Sequence, residues 1–355
     1  MHKTADKDTV SSHFVVAAVA QLSAPARVRV LAQAGIAPEL LRSADARVTS
    51  EAFAALWLAV AQELDDEFFG LDSRRMKVGS FALLCHGLLH AGTLERALRQ
   101  MLRGFAVFLD DVGGALEVGS GEACITVRNR VAEPDARRFA DETFLVMVHG
   151  LLCWLVGRRI PLRVVAFAQA RPAHAAEYGV MFTPQLQFDA PATAMVFEAR
   201  WLAAPLVQDE QALAVFLRTA PQSVFLKYRN RQGWVARVRQ RMRAVREGGC
   251  EGDPWPTLAS LARDWRITPS TLRRHLEREG SSYREIKDQL RRDAAIVHLT
   301  EGRHSVGEVG LLLGFREPSA FHRAFKKWTG VRPGEYGSAR HAPNPPAPVR
   351  AANGD

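Results

Sequence analysis

Thr268-Pro269-Ser270-Thr271-Leu272-Arg273-Arg274-His275-Leu276 and, 49 residues downstream, Glu317-Pro318-Ser319-Ala320-Phe321-His322-Arg323-Ala324-Phe325 follow one plan. Each opens a helix with proline at its first position, where the fixed φ is already helical and the missing N–H would have had no partner. Thr268 can also cap the first helix. Apolar pairs four apart, Leu272/Leu276 and Phe321/Phe325, face one way. Ser270, Thr271, Arg273 and Arg274, and Ser319, Ala320, His322 and Arg323, face the other. A short helical stretch precedes each unit, Leu258–Ala262 and Val306–Leu313, and Ser305 with Glu308 has capping-box spacing. Small residues at Ala262 and Gly310 let the second helix cross closely over the first. The chain thus carries two helix-turn-helix patterns, Leu258–Glu279 and Val306–Trp328.

Between them, Ser282 and Glu285 form another capping box and open a helix from about Tyr283 to Leu299, which Gly302 can end. Its length of roughly 25 Å would hold two reading heads about one DNA turn, ~34 Å, apart. Charge points to the same end of the chain. The 355 residues carry a net +9, yet Lys227–Arg340 holds 24 basic against 13 acidic residues, and Met1–Leu226 holds 22 against 24. A polyanion-binding surface therefore belongs to the C-terminal third.

The stretch Ser281–Tyr336, with Leu312-Leu313-Gly314-Phe315-Arg316-Glu317-Pro318-Ser319-Ala320-Phe321-His322-Arg323-Ala324-Phe325-Lys326-Lys327-Trp328-Thr329-Gly330-Val331-Arg332-Pro333, resembles the signature end of the AraC/XylS family of bacterial transcription regulators. The resemblance covers about Tyr228 to Arg340. It implies an all-α DNA-binding domain of seven helices, with two helix-turn-helix units on one connecting helix. Gly310 departs from the family, which usually has Ala there. The eight outward-facing residues are the candidates for base readout, and the resemblance places Arg273, Arg274, Ser319, His322 and Arg323 at base-reading positions. The rigid fork of arginine suits the paired acceptors of guanine. Arg316, Lys326 and Lys327 are candidates for phosphate contacts, which position without reading sequence. The plain alternative for all these charges is a solvated surface.

Upstream, the patterns predict a mixed α+β domain. Helices are expected from Pro25 to Gly35, with Val28, Leu31 and Ala32 on one face, at Ser50–Leu64 (Phe53, Leu56, Trp57, Val60), at Thr93–Leu109 (Leu94, Leu98, Met101, Leu102, Phe105) and from about Asp135 to Val156. Strands are expected at Ala115–Val118, Ala123–Arg128, Leu162–Gln169, Gln185–Asp189 and Ala194–Glu198. Val28–Leu226 resembles the N-terminal, arabinose-binding type of effector domain of the same family, through Ala34-Gly35-Ile36, Phe69-Gly70-Leu71, Thr93-Leu94-Glu95-Arg96-Ala97-Leu98 and Leu186-Gln187-Phe188-Asp189-Ala190-Pro191. That label does not imply arabinose as the ligand. The expected organisation is a flexible 1–22, an effector-binding and dimerisation domain over 23–226, the DNA-binding domain over 227–340 and a disordered Pro/Ala-rich tail over 341–355. A basic helix at Phe225–Arg246 begins the DNA-binding domain, and Gly248–Pro254 is a loop.

Other chemistry is thinly represented. His86 and His90 are four apart beside Cys85, a spacing open to metal, but without a third ligand they read as core or pocket-wall histidines. Asp65-Asp66-Glu67 and Asp110-Asp111 read as ordinary exposed acids at helix ends. There is no nucleophile elbow, phosphate-binding Gly-rich loop or HExxH. Cys85, Cys124, Cys153 and Cys250 are scattered, which fits a reducing, cytoplasmic compartment without disulfides or zinc. No export leader is evident at Met1–Val10, and the apolar run Phe144–Gly157 is too short to cross a bilayer. The expected function is a non-enzymatic, effector-controlled transcription regulator, classed with activators although the sequence does not say whether transcription rises or falls. Its expected partners are double-stranded DNA, a small effector, a second copy of itself and RNA polymerase, with no cofactor, metal or membrane. Apolar bias around Phe81–Phe108 and Phe144–Leu155 favours a hydrophobic or amphipathic effector, whose contact residues the sequence does not name. The competing readings are a DNA-tethered enzyme, which would need a reactive cysteine cluster, and a ligand-independent DNA-binding protein.

Overall fold

The computed structural model describes residues 9–221, 224, 233–247, 255–279 and 281–337. The chain starts with strand β1 (Thr9–Ser11) and helix α1 (Ser12–Ala18), then α2 (Ala24–Gln33) and β2 (Arg47–Thr49). β1 lies antiparallel on β2, with Val10 opposite Val48. The expected flexible lead-in is thus corrected over 9–22. Ser11 caps α1 through the His13 amide, and Phe14, Val15, Val19 and Leu22 are buried. The apolar residues Phe14, Val15 and Ala18 give this two-turn helix its buried face. The first eight residues lie outside the described set.

Helix α2 presents another face than expected: Ala26, Val30 and Leu31 are buried, while Val28 is 61% exposed. The i, i+4 pair 26/30 sets the inward direction, and Val28 sits two residues from it, on the far side. Helices α3 (Ser50–Leu64), α4 (Ser80–Leu88) and α5 (Leu94–Phe108) follow. α3 and α5 start as read, with Thr49 and Thr93 accepting from the Ala52 and Arg96 amides, and bury the expected apolar faces. On α4, Leu84, Cys85 and Leu88 turn inward. His86 and His90 lie on the opposite, exposed side, so neither is a core histidine. His86 Nδ1 faces Glu210 at 3.5 Å.

A five-stranded sheet comprises β3 (Val112–Gly119), β4 (Glu122–Asn129), β5 (Leu162–Ala166), β6 (Leu186–Gln187) and β7 (Ala194–Glu198), in the order β3-β4-β7-β5-β6. Pairing is antiparallel except between β5 and β6. α6 (Pro134–Leu155), capped by Glu133 through two amides, packs on β3, β4 and α5. The inward row Ala123, Ile125, Val127 of β4 and Met195, Phe197 of β7 is buried on that side. β5 is shorter than expected because the Ala168 amide leaves the ladder for the Thr193 hydroxyl, 3.2 Å away. β6 is shorter too, and Asp189 beyond it turns left-handed at φ +55. Short helices α7 (Ala176–Met181) and α8 (Glu210–Thr219) complete this half.

Two acids read as exposed are structural. Asp66, 1% exposed, accepts the amides of Phe68, Gly70 and Met76 at 2.8–3.1 Å. Glu67 accepts those of Gly79 and Phe81, which start α4. Asp72 likewise gathers the amides of Arg74, Asp110, Asp111 and Val112 where α5 passes into β3. Each satisfies backbone donors that burial would otherwise strand.

The C-terminal half is helical: α9 (Trp234–Glu247), α10 (Leu258–Asp264), α11 (Pro269–Arg278), α12 (Tyr283–Glu301), α13 (Val306–Leu312), α14 (Pro318–Thr329) and α15 (Pro333–Gly337). Of the expected basic helix Phe225–Arg246, residues 225–232 lie outside the described set, as do Cys250 and the tail from 338. Both capping boxes, Ser282/Glu285 and Ser305/Glu308, are formed. α10 and α13 end alike: the Ile267 and Phe315 amides reach back to the Ala262 and Gly310 carbonyls, each at 3.0 Å, with a left-handed residue just before. In the second unit that residue is Gly314 at φ +78; in the first it is Arg266 at φ +55. A side chain there costs about 1 kcal/mol that glycine does not. Arg266→Gly is therefore expected to stabilise the chain by about 1 kcal/mol, read as a higher melting temperature; an unchanged or lower one would show that the turn is not strained.

Candidate nucleic-acid interface

Thr268 caps α11 through the Thr271 amide at 3.1 Å, and its hydroxyl lies 2.9 and 2.8 Å from those of Ser270 and Thr271. Leu272 and Leu276 are buried beneath. Ser270, Arg273 and Arg274 stand exposed and Thr271 is half-buried. α14 repeats the arrangement with Phe321 and Phe325 fully buried. Ser319, His322 and Arg323 are exposed, Ala320 is half-buried, and Arg316, Lys326 and Lys327 are exposed around them. A Cβ on Gly310 would meet the Phe321 Cβ at 3.2 Å, so the glycine that departs from the family's usual alanine relieves the closest approach of α13 to α14. Every sequence-predicted contact residue thus lies on α11, α14 or the turn before α14.

The two units form one frame. Trp255, buried just before α10, donates its indole N–H to the Leu313 carbonyl in the second turn at 3.1 Å, and the Tyr283 hydroxyl donates to the Pro256 carbonyl. Glu279, at the end of α11, accepts the first amides of α9, Trp234 at 2.7 Å and Val235 at 3.0 Å. Trp234 stacks on His275 with ring centroids 4.7 Å apart, and the Arg237 guanidinium lies 4.3 Å over Trp234. α12 packs against α9, α13, α14 and α15.

α12 also packs against β1 and β2 of the other half, and a charged cluster lies at that junction. Asp293, on the inner face of α12, accepts the Thr9 hydroxyl at 2.7 Å. The Arg47 guanidinium donates through Nε to the Thr9 hydroxyl at 2.7 Å and through both Nη atoms to the Glu177 carboxylate at 2.5 and 3.0 Å. Its Nε is 3.7 Å from Asp293. The Arg47 amide donates to the Tyr336 hydroxyl at 3.1 Å, and the Ser43 hydroxyl to the Thr329 carbonyl at 2.9 Å. A side chain on Gly330 would collide there, its Cβ 2.3 Å from the Ser43 hydroxyl. Burial raises the Asp293 carboxyl, but Arg292 and Arg47 beside it and the Thr9 hydroxyl bring it down to about 2. Burial likewise raises Glu177, and Arg47 more than offsets it, holding it below the usual range. This clasp escaped the sequence reading. Its one signal was Asp293, an acid just ahead of the apolar run Ala294-Ala295-Ile296-Val297 of α12.

Among the described residues, the N-terminal half holds several cavities, of which two are the larger. One of about 180 Å³ is walled mainly by apolar residues, among them Trp57, Phe81, Met147 and Leu217. The other, of about 50 Å³, lies under α1 between α3 and α6, and its lining includes Thr9 and Glu177 of the clasp. No described helix is long and apolar enough to cross a membrane.

Comparison with known proteins bears on both halves. Residues 26–206 match the family model of the arabinose-binding domain of AraC transcription regulators, and residues 261–339 match a helix-turn-helix domain model. The ornithine utilization regulator of Pseudomonas aeruginosa is 27% identical over 307 residues, covering 86% of this chain and 89% of that protein. The urease operon transcriptional activator of Escherichia coli is 35% identical over 79 residues, 22% of this chain and 27% of its own. The crystal structure of the transcriptional regulator CdpR from Pseudomonas aeruginosa aligns over 92% of this chain and 96% of that one, at 20% identity and a TM-score of 0.31. The chain belongs to the AraC family of transcription regulators, with an N-terminal domain of the arabinose-binding type and a C-terminal helix-turn-helix domain that binds DNA.

Proposed function

We propose that α11 and α14 enter successive major grooves on one face of the duplex, and that a small effector bound in the 23–226 half controls the outcome as transcriptional activation. The observation that carries this reading is the pair of exposed, basic helix faces, α14 packed on the connecting helix and α11 tied to it through α9. Arg273, Arg274, His322 and Arg323, with the Ser270, Thr271 and Ser319 hydroxyls, read base edges. Ala320 offers a methyl contact to thymine. Arg316, Lys326 and Lys327 take phosphates and set the register. Arg273→Ala is expected to relax preference at one or two positions of one half-site, with a loss of ~1–3 kcal/mol on the selected sequence. Selection of binding sites from random DNA checks this, and an unchanged profile refutes it.

Effector binding acts by its difference in affinity between two arrangements of the halves. The clasp is the contact that such arrangements would exchange. The family's N-terminal domain also forms the dimer and the C-terminal domain meets RNA polymerase in this reading. Sedimentation at micromolar concentration is expected to give a dimer, and a monomer there removes that part.

The clasp has a definite pH signature. Asp293 holds a lowered pKa in the folded chain, about 2 against the ordinary 3.8. Its contribution is therefore fully present above about pH 4 and lost as pH falls toward 2. Asp293→Asn leaves Arg47 short of a partner and is expected to cost about 2–3 kcal/mol at neutral pH, the worth of that lowered pKa. The gap between wild type and variant should close as pH drops from 4 toward 2. Urea titrations across pH 2.5–7 test this, and a gap constant with pH contradicts the assignment.

A further inference from the structure

We propose that the smaller cavity, framed by Phe14, Phe53, Trp57 and Phe139, takes a small organic cation, a primary ammonium on a short apolar stem, with Glu142 as its anionic partner. The inference rests on the N-terminal half being the effector-binding half, and it names the ligand's chemistry and place.

Two charged residues line this cavity among the described residues, Glu142 and Glu177, and both are acids. Glu142, on α6, is 1% exposed. Its Oε1 accepts the Tyr178 hydroxyl, while its Oε2 is buried without a hydrogen-bond partner. Burial holds the Glu142 carboxyl above its usual range despite His174 and Tyr178 beside Oε1, and a charged donor at the orphaned Oε2 is what would satisfy it best and favour its ionised form. The four rings supply the remainder of an ammonium site, since the faces of Trp and Phe attract a cation shielded from water. Trp57 is anchored by its indole N–H on the Glu67 carbonyl at 3.2 Å, and Phe53 meets it edge-on with centroids 6.2 Å apart. A volume of about 50 Å³ admits a head group and the start of a stem.

A metal ion is the competing occupant, because His13, Glu142 and His174 bring ligand atoms within 4.8 Å of one another. The two imidazoles, however, stack face to face, centroids 3.4 Å apart and planes 22° from parallel. Their lone pairs run side by side instead of converging on one ion. The Tyr178 hydroxyl also lies 2.9 Å from His174 Nε2. Neither histidine lines the cavity, whereas Glu142 does. The organic cation is the reading these positions favour.

The site reaches the DNA-binding half in one step. Glu177 both lines the cavity and holds Arg47, and Thr9 both lines it and donates to Asp293 on α12. An ammonium ligand on Glu142 shares the cavity with Glu177, whose carboxylate holds Arg47, so its binding and the clasp are coupled through that wall, and with them DNA affinity, reciprocally.

The test is isothermal titration of the full chain with n-butylammonium, n-butanol, n-butyrate and zinc chloride. Butylammonium is expected to bind saturably, butanol and butyrate at least tenfold more weakly, and Glu142→Gln to weaken butylammonium roughly ten- to hundredfold. The contrast among probes on the wild type needs no variant and stands even if Glu142→Gln fails to fold. Butanol binding as well as butylammonium, a folded Glu142→Gln variant that binds butylammonium undiminished, or zinc binding abolished by His174→Ala in a chain that ignores butylammonium would each overturn the proposal. The effector reading is judged separately by a metabolite panel. An uncharged compound that raises the melting temperature of wild type and Glu142→Gln alike keeps that reading and overturns the cation.

Discussion

Helix α12 is the constraint on which the rest depends. Its nineteen residues, capped at both ends by Ser282 and Gly302, span about 28 Å and carry the second helix-turn-helix unit directly. The first is tied in through α9, Trp255 and Tyr283. Two recognition helices with separate mobility would each have to be ordered on DNA, at an entropic cost for each. A common frame has met that cost in folding, so both basic faces are presented together.

The same helix couples that frame to the remainder of the chain. Asp293 sits on its inner face, buried, and one guanidinium from β2 stands between it and Glu177. A buried ion cluster of this kind is weak evidence for stability, because desolvation consumes much of its attraction, but it is sensitive to the loss of any member. That sensitivity is useful where two arrangements of the halves must differ by a few kcal/mol. Thr9 and Glu177 belong both to the clasp and to the wall of a cavity, so the ligand-facing surface and the surface holding α12 are partly the same atoms.

The DNA-binding half was legible because its signals are local. Thr268-Pro269 and Glu317-Pro318 start helices by fixing φ, Thr268 caps its helix within three residues, and Ser282/Glu285 and Ser305/Glu308 close their boxes within four. What stayed hidden is long-range. Thr9 and Asp293 are 284 residues apart, and no periodicity announces their meeting. Val28 was assigned to the wrong face because α2 is short and mostly apolar, so several stripes look alike. Asp66 and Glu67 looked like ordinary exposed acids because the amides they gather lie in a backbone path that composition does not describe. The orphaned Oε2 of Glu142 is likewise a property of packing, visible only once Tyr178 and α6 are placed.

Hydroxyl-radical footprinting of the full chain on its selected site tests the central claim most directly. Two recognition helices on one rigid frame predict two protected patches per chain on the same face of the duplex, their centres about one helical turn, roughly 10 base pairs, apart. A single protected patch per chain, or two whose spacing varies from site to site, would contradict the account.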